Sequence, residues 1–281
     1  MPELPEVEVI KNIIEPHAKN QRIETIWTSG FKMRSQLTAS EKEYVTGRTI
    51  LNVFRKAKYL VFEFEEFLLL IHFGMSGRLL MYSRTTKEKI VSPKLKHIHV
   101  CISFELFDLY FQDPRRFGGL KLVSKSFKPL TDKYSEVIEF GIEPLDNRFS
   151  EEKMYILAKS TDRSIKALLM DGKKIGGIGN IYATESLFRA GIHPKTVSSS
   201  LGLTRCSRLV AAIKYVLAEA IKLGGSTIND FSDANGEEGR YTRAHLIYGR
   251  VEKKCLICKY TLSSVRQNQR RTVFCLKCQN K

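Results

Sequence analysis

The chain of 281 residues is short of acidic side chains and has no long apolar run. Its 30 Asp and Glu residues stand against 46 Lys and Arg, which gives a formal net charge of +16. Such an excess favours a polyanionic partner, either nucleic acid or an anionic membrane surface. The longest tight apolar cluster, residues 67–71, is far below the roughly 20 residues that span a bilayer, and the N-terminus lacks a secretory signal pattern. We therefore expect a soluble, intracellular protein.

Cysteine is also scarce, and its distribution argues against disulfides. Four of the six cysteines form two CxxC pairs, Cys255 with Cys258 and Cys275 with Cys278, separated by residues 259–274. A hairpin of that length can bring two thiolate-bearing turns together around one tetrahedral ion. The pattern predicts one structural zinc ion in a ribbon, because so short a segment cannot bury a sufficient core without a metal.

The N-terminus places a proline directly after the initiator methionine and a carboxylate next to it. If Met1 is removed, Pro2 becomes a free secondary amine, and an α-amino group with a pKa of about 8 is partly unprotonated near neutral pH. Attack of such an amine on a sugar carbon gives a positively charged iminium, with Glu3 close enough to transfer protons. The alternative is that Pro2 and Pro5 only begin an N-terminal helix.

The hydrophobic pattern divides the chain into a β-rich and a helical part. Val7, Ile10 and Ile14 recur at helical spacing within residues 6–15, and Pro16 should end that helix. Residues 50–54, 59–64, 67–73, 97–104 and 106–111 are short β-branched and aromatic runs, typical of a sandwich or barrel. Ser150 should cap a new helix, and residues 204–223 form the longest helix. The boundary should fall within residues 128–148.

A glycine-rich turn interrupts the helical part at Gly176-Gly177-Ile178-Gly179-Asn180. Glycines let the backbone approach a ligand, Asn180 is a good N-cap, and the N–H groups of the following helix attract phosphate. Lys166, Lys173 and Lys174 flank the turn. A tight interhelical turn without any ligand would explain the glycines equally well.

Together these motifs resemble the formamidopyrimidine-DNA glycosylase family of base-excision repair enzymes over essentially the whole chain. The residues that carry the resemblance are Pro2-Glu3-Leu4-Pro5-Glu6, Arg55-Lys56-Ala57-Lys58-Tyr59-Leu60, His72-Phe73-Gly74-Met75-Ser76-Gly77, Asp113-Pro114-Arg115-Arg116-Phe117-Gly118, Gly177-Ile178-Gly179-Asn180-Ile181-Tyr182, Tyr248-Gly249-Arg250 and Cys275-Leu276-Lys277-Cys278-Gln279. It implies an α+β fold with three parts: an N-terminal β-sandwich with flanking helices (1–132), a helix-two-turn-helix domain (133–245) and a zinc ribbon with four cysteine ligands (246–281).

The resemblance also implies the roles of individual residues. Pro2 is the nucleophile that attacks C1′, Glu3 protonates the deoxyribose ring oxygen, and Lys58 and Arg270 contact phosphate and assist the elimination steps. An extruded base leaves a hole in the duplex, which Met75, Arg115 and Phe117 should fill. Without the resemblance, Met75 and Phe117 would be interpreted as core residues. Further contacts to DNA are expected from His97, Arg116, Lys166 and Asn180.

The resulting hypothesis is a bifunctional DNA glycosylase and apurinic-site lyase, acting as a monomer on double-stranded DNA that contains oxidised purines or abasic sites. We expect it in the cytoplasm, associated with the nucleoid. The alternatives are an oxidised-pyrimidine glycosylase of the same superfamily and a non-catalytic protein that binds damaged DNA. Leu4 and the wedge residues favour purines, whereas Ile98, Gly172 and Arg240 depart from common family patterns. Residues 232–242 should close over the extruded base.

Overall fold

The computed structural model describes residues 2–84, 96–125, 140–226 and 239–279. The chain divides into two compact units: the first comprises Met1–Ile138 with Gly224–Gly239, and the second comprises Glu139–Leu223 with Arg240–Lys281. The predicted three-part division at residues 132 and 245 stays a prediction. Most of the predicted closing loop, residues 232–238, lies outside the described residues.

Among the residues that the structure describes, the first unit contains two helices and two four-stranded antiparallel sheets. Its elements are α1 (Leu4–Ala18), β1 (Thr25–Thr28), α2 (Ala39–Val45), β2 (Asn52–Lys56), β3 (Tyr59–Glu63), β4 (Phe67–His72), β5 (Arg78–Ser83), β6 (Ile98–Ser103), β7 (Phe107–Gln112) and β8 (Gly119–Ser124). One sheet has the strand order β1-β6-β7-β5 and the other β2-β3-β4-β8. This β-sandwich confirms the predicted α+β fold class.

The core of the sandwich is built by side chains that alternate along each strand and by one face of α1. Leu69 and Ile71 from β4 and Leu109 from β7 are fully buried in the same apolar cluster as Ile10 and Ile14 of the helix. Burying a side chain of this size stabilises the fold by about 2 kcal/mol. The prediction that Pro16 ends the helix is wrong, because Pro16 lies inside the last turn and the helix continues to Ala18.

All five runs predicted as strands are strands, but three further strands were not predicted. β1 has only four residues, and β5 and β8 mix apolar residues with Arg78, Gly119 and Lys121. Short mixed segments of this kind show no clear alternation of apolar and polar residues, so their strand conformation depends on pairing with a neighbouring strand. β8 lies beside β4 over its whole length.

The second unit is helical and ends in a β-hairpin. Its elements are α3 (Glu151–Lys159), α4 (Ile165–Leu169), α5 (Asn180–Arg189), α6 (Leu203–Lys222), β9 (Ser263–Gln267) and β10 (Arg270–Phe274), with 3-10 turns at Ser198–Ser200 and Tyr241–Ala244. Ser150 caps α3 by accepting a hydrogen bond from the Lys153 backbone, as predicted. None of the helices among the described residues has both the length and the apolar character needed to cross a bilayer.

The hairpin shares a small apolar core with helix α5. Phe188 of that helix packs with Ile247, Leu262 and Val273, together with two of the cysteines. Beside this core the buried carboxylate of Glu185 accepts hydrogen bonds from the backbone N–H groups of Leu246 (3.0 Å), Ile247 (3.0 Å) and Tyr248 (2.7 Å). Burial raises the pKa of Glu185, and these backbone bonds act in the opposite direction.

Candidate functional site

The N-terminal residues are buried and held by a neighbouring carboxylate. Pro2 is buried, Glu3 is 2 % exposed, and α1 begins at the next residue. One oxygen of Glu6, Oε2, accepts the backbone N–H of Glu3 at 2.8 Å, and the other, Oε1, accepts that of Ser226 at 2.8 Å. Glu6 is itself 1 % exposed, so its two bonds are shielded from water. The backbone beside Pro2 is therefore fixed by a charge-assisted contact.

Lys58 lies in the two-residue turn between β2 and β3, where Lys56 and Tyr59 pair. Ala57, in the same turn, has a φ of 51°. The guanidinium of Arg55 donates to Glu8 Oε2 at 2.6 Å and to the Ala57 carbonyl at 3.1 Å. A chain of hydrogen bonds thus runs from α1 through Arg55 to the turn that carries Lys58.

His72, at the end of β4, is a neutral hydrogen-bond acceptor. Its Nδ1 accepts the backbone N–H of Gly74 at 3.2 Å, in the turn that carries Met75. Burial, helped by the positive charges of Arg34 and Lys58, lowers the pKa of His72 to about 4. The imidazole therefore stabilises the Met75 turn without adding a charge near neutral pH.

Met75, Arg115 and Phe117 lie on two loops that touch. Met75 is half-buried, whereas Phe117 is 46 % exposed with the Arg115 guanidinium 5.3 Å from its ring centre. An exposed aromatic ring is not a core residue, so the alternative interpretation of Phe117 is wrong. The backbone of Gly74 comes so close to Phe117 and Gly118 that an added Cβ would lie 2.4 Å from backbone atoms of both.

The carboxylate of Asp113 joins these two loops. It accepts the Ser76 hydroxyl at 2.6 Å, the Arg115 backbone N–H at 3.2 Å and the Gly118 backbone N–H at 2.8 Å. Asp113 is completely buried. Because Ser76 follows Met75 directly, one side chain fixes the Met75 turn and the Arg115–Phe117 loop together; we call this arrangement the Asp113 anchor.

The two other expected contacts of this unit, His97 and Arg116, are exposed. Both have left-handed backbones, with φ of 72° and 56°. The His97 carbonyl accepts the backbone N–H of Asp113 at 2.9 Å, and the Arg116 guanidinium lies 5.6 Å from the Phe31 ring centre. His97 therefore borders the loop that carries Arg115, although it is distant from that loop in sequence.

In the second unit, Lys166, Asn180 and Thr272 form one hydrogen-bonded group. Lys166 is 2 % exposed, and its Nζ donates to Asn180 Oδ1 and to Thr272 Oγ1, each at 2.6 Å. Asn180 Nδ2 donates to the Arg271 carbonyl at 3.3 Å. The prediction that Asn180 caps its helix is wrong: Gly179 is the N-cap, and Asn180 instead connects α4 and α5 to the hairpin. The glycine-rich turn before it is buried.

Arg270 follows a tight hairpin turn. The turn consists of Asn268 and Gln269, with φ of 47° and 59°, which is the twist that a two-residue antiparallel connection requires. Asn adopts this conformation readily, whereas Gln269 is strained there. The turn is anchored by Gln267, whose Nε2 donates to Ser164 Oγ at 3.3 Å and to the Pro194 carbonyl at 3.2 Å.

The four paired cysteines converge on one point. The sulfur atoms of Cys255, Cys258, Cys275 and Cys278 all lie within 4.8 Å of one another. Four thiolates around a tetrahedral ion at about 2.3 Å are separated by about 3.8 Å, so shifts of no more than about 1 Å would let the cluster hold such an ion. The amide of Gln279 supports the second pair by accepting the Cys275 N–H and donating to the Ile192 carbonyl, each at 2.9 Å.

The structure thus groups the expected site residues by unit. The first unit holds Pro2, Glu3, Lys58, Met75, His97, Arg115, Arg116 and Phe117, and the second holds Lys166, Asn180, Arg270 and the cysteines. Sequence reasoning assigned no role to Glu6, Asp113 or Thr272. A signal existed for Glu6, because an acid three residues after the N-cap Glu3 is the pattern of a capping box.

Sequence comparison identifies relatives along the whole chain. A family profile described as the formamidopyrimidine-DNA glycosylase N-terminal domain matches residues 1–120, and one described as the H2TH domain of the same enzyme matches residues 140–232. The formamidopyrimidine-DNA glycosylase of Wolbachia pipientis wMel is 39 % identical, with 100 % of each chain covered. That of Neisseria meningitidis is 36 % identical, covering 99 % of this chain and 100 % of the relative.

Solved structures give the same result. A complex of Lactococcus lactis Fpg with DNA containing an abasic site is 31 % identical and has a TM-score of 0.85, covering 99 % of this chain and 100 % of that one. A complex of the wild-type L. lactis protein with DNA containing N7-benzyl-Fapy-dG also has a TM-score of 0.85 at 31 % identity, with both chains fully covered.

We predict that stability falls as the pH drops from about 6.5 to about 4. In this window His72 takes up a proton in the unfolded chain but not in the folded one, since its folded pKa is lowered to about 4. The loss should be on the order of 1 kcal/mol per pH unit. His245, whose pKa burial also lowers to about 4, should contribute separately. Urea unfolding at several pH values measures how the free energy of unfolding changes with pH. The variant His72→Asn should show a smaller change per pH unit than the wild type. An equal change in the variant would contradict the assignment to His72.

We predict that Asp113→Asn loosens both loops of the Asp113 anchor. An amide offers one acceptor and turns an N–H group toward backbone donors, so at least one buried N–H is left unsatisfied at a cost of about 1–3 kcal/mol. Amide hydrogen exchange should accelerate at Arg115 and Gly118. Asp146→Asn is the matched control, because that carboxylate pairs with exposed Arg148 and should cost under about 1 kcal/mol. Unchanged exchange at Arg115 would refute the role.

Proposed function

The chain belongs to the formamidopyrimidine-DNA glycosylase family of base-excision repair, and from this we propose that it excises oxidised purines from duplex DNA and then cleaves the strand as an apurinic-site lyase. The observation that carries the proposal is the buried pair at the N-terminus, where Pro2 adjoins the almost fully buried Glu3.

The first step needs a neutral amine and a proton donor side by side. Once Met1 is removed, the Pro2 nitrogen has a lone pair that attacks C1′ of the damaged nucleotide. The C1′–base bond breaks as the new C1′–N bond forms, and the base leaves with the proton that the amine gives up. Glu3 then protonates the deoxyribose ring oxygen, so that the bond from C1′ to this oxygen breaks and an iminium links Pro2 to C1′. Support comes from the Glu6 contact to the Glu3 backbone, which restricts the reacting residues to one conformation.

The iminium then withdraws electrons from the sugar, which favours loss of the neighbouring phosphates by elimination. We propose that Lys58 and Arg270 bind those phosphates and assist the β- and δ-elimination steps, respectively. The hydrogen-bonded chain from α1 through Arg55 supports the role of Lys58, because it ties the Lys58 turn to the helix that begins beside Pro2.

The base must leave the helical stack before it can react, which costs a few kcal/mol. We propose that Met75 and Phe117 replace the lost stacking and that Arg115 donates hydrogen bonds to the orphaned partner base. The exposed Phe117 ring and the rigid Asp113 anchor support this role, since a wedge must be both accessible and firmly held. The L. lactis structures were determined with abasic-site and N7-benzyl-Fapy-dG DNA, which supports damaged duplex DNA as the partner.

We propose that the tetrathiolate cluster holds one structural zinc ion. Four sulfur ligands leave no open coordination position, so such an ion shapes the ribbon and takes no part in the reaction. Its contribution here is to hold the hairpin, and with it Arg270, in place.

Borohydride reduction should trap a covalent adduct between Pro2 and lesion-bearing DNA, because reduction converts the iminium to a stable amine. Pro2→Gly should trap far less, and a chain that retains Met1 should trap none, since its Pro2 nitrogen is an amide. Intact-mass measurement of the N-terminus verifies Met1 removal, and Pro5→Ala is the control that keeps the terminal amine. Failure of the processed wild type to form an adduct would refute the mechanism.

The same assay separates the lesion classes. Duplex with 8-oxoguanine opposite cytosine should react faster than duplex with thymine glycol. The reverse order would identify an oxidised-pyrimidine glycosylase, and binding without any reaction on either lesion would identify a non-catalytic damage-binding protein.

We predict that Cys258→Ser loses the metal and weakens DNA binding, because three thiolates and a hydroxyl bind zinc poorly and the ribbon then lacks its main source of folding energy. Elemental analysis should give about one zinc per wild-type chain and much less in the variant. Cys101→Ser, outside the cluster, should keep its zinc. A wild-type protein purified without chelators that contains no zinc would contradict the assignment.

A further inference from the structure

The outer face of the hairpin carries two arginines opposite each other. Arg271 of β10 pairs in register with Arg266 of β9. Directly opposite residues in an antiparallel pair have Cβ atoms about 5 Å apart, and like charges there destabilise the sheet. Such a pair lowers the stability of the hairpin unless an anion lies between the two guanidinium groups.

The described part of the chain offers these arginines no compensating carboxylate. Both side chains are exposed, and neither guanidinium forms a hydrogen bond or an ion pair with any residue that the structure describes. The sequence contains no Asp or Glu at all in residues 253–281. The two charges therefore face solvent together.

The arginine pair lies on the opposite side of the hairpin from Arg270, because side chains alternate along a strand. The inner side is fixed through Thr272, which is fully buried and bonded to Lys166. The Arg271 carbonyl is held by Asn180. The pair borders a shallow depression of about 390 Å³ at the turn end of the hairpin, lined by Ser264, Val265, Arg266, Gln269 and Arg271.

We propose that Arg266 and Arg271 form an auxiliary phosphate site, which binds a DNA backbone phosphate other than the one assigned to Arg270. Guanidinium groups bind phosphate oxygens in a bidentate manner, and Ser264 and Gln269 add neutral hydrogen-bonding groups beside them. A phosphodiester between the two arginines removes their repulsion. This inference rests on the proposed function only for the identity of the polyanion as DNA.

The test is the salt dependence of binding to an undamaged 20-base-pair duplex, followed by fluorescence anisotropy. Each phosphate contact contributes about 0.9 to the slope of log Kobs against log salt concentration. Because the two arginines share one phosphate, the double variant Arg266→Gln/Arg271→Gln should lower the magnitude of that slope by about 0.9. Lys153→Gln/Arg208→Gln, which removes two exposed charges from helices α3 and α6, should leave the slope unchanged.

An unchanged slope in the arginine variant would overturn the proposal, as would an equal fall in the helix control. Arg266→Lys/Arg271→Lys should retain the slope, and zinc content verifies that each variant keeps its ribbon.

The measurement is independent of catalysis. If the arginine variant has a reduced slope but the wild type excises no lesion, the auxiliary phosphate site is upheld and the proposed function fails. If the wild type excises lesions but the slope of the variant is unchanged, the proposed function is upheld and the auxiliary phosphate site fails. At saturating enzyme, the single-turnover excision rate of the arginine variant should equal that of the wild type. A slower rate with an unchanged slope would assign the arginines to the lesion site and overturn the proposal.

Discussion

A carboxylate removed from water must be surrounded by donors, and this constraint organises the irregular parts of the protein. Glu6, Asp113 and Glu185 are each at most 2 % exposed. All three accept backbone N–H groups from segments that are neither helix nor sheet. Such N–H groups have no partner within regular structure, so one side chain satisfies several at once. The loops that carry the chemistry are thus shaped by charge-assisted hydrogen bonds as well as by apolar packing.

Most of the regular structure could be predicted from local patterns. The β-branched runs of the first unit, the apolar face of α6 and the Ser150 cap each depend on neighbours within one element, and such information is present in a short window of sequence. The cysteine pairs were informative for a different reason: the number of residues between them fixes the length of the hairpin that brings them together. The resemblance to a known family then supplied candidate roles that local patterns could not.

The supporting contacts could not be predicted, because each joins residues that are distant in sequence. Nothing near Asp113 indicates that Ser76 bonds to it, and nothing near Asn180 indicates a buried lysine and a strand carbonyl as its partners. Asn180 is an example: its residue type favours the N-cap position, but its side chain bonds to Lys166 and to the Arg271 carbonyl, and Gly179 is the N-cap of α5. Pro16 is a second example: proline is unfavourable in the interior of a helix, but the last turn of α1 contains it.

The apolar cluster that the ribbon shares with α5 has a consequence for cooperativity. Phe188 of the helix and Val273 of the hairpin lie in the same small core, and Gln279 is bonded to the Ile192 carbonyl just beyond that helix. The ribbon is therefore not an independent appendage that can be removed without cost. Deleting the ribbon would expose a face of α5 to water. The helices of the second unit and the hairpin should therefore fold and unfold together as one cooperative unit.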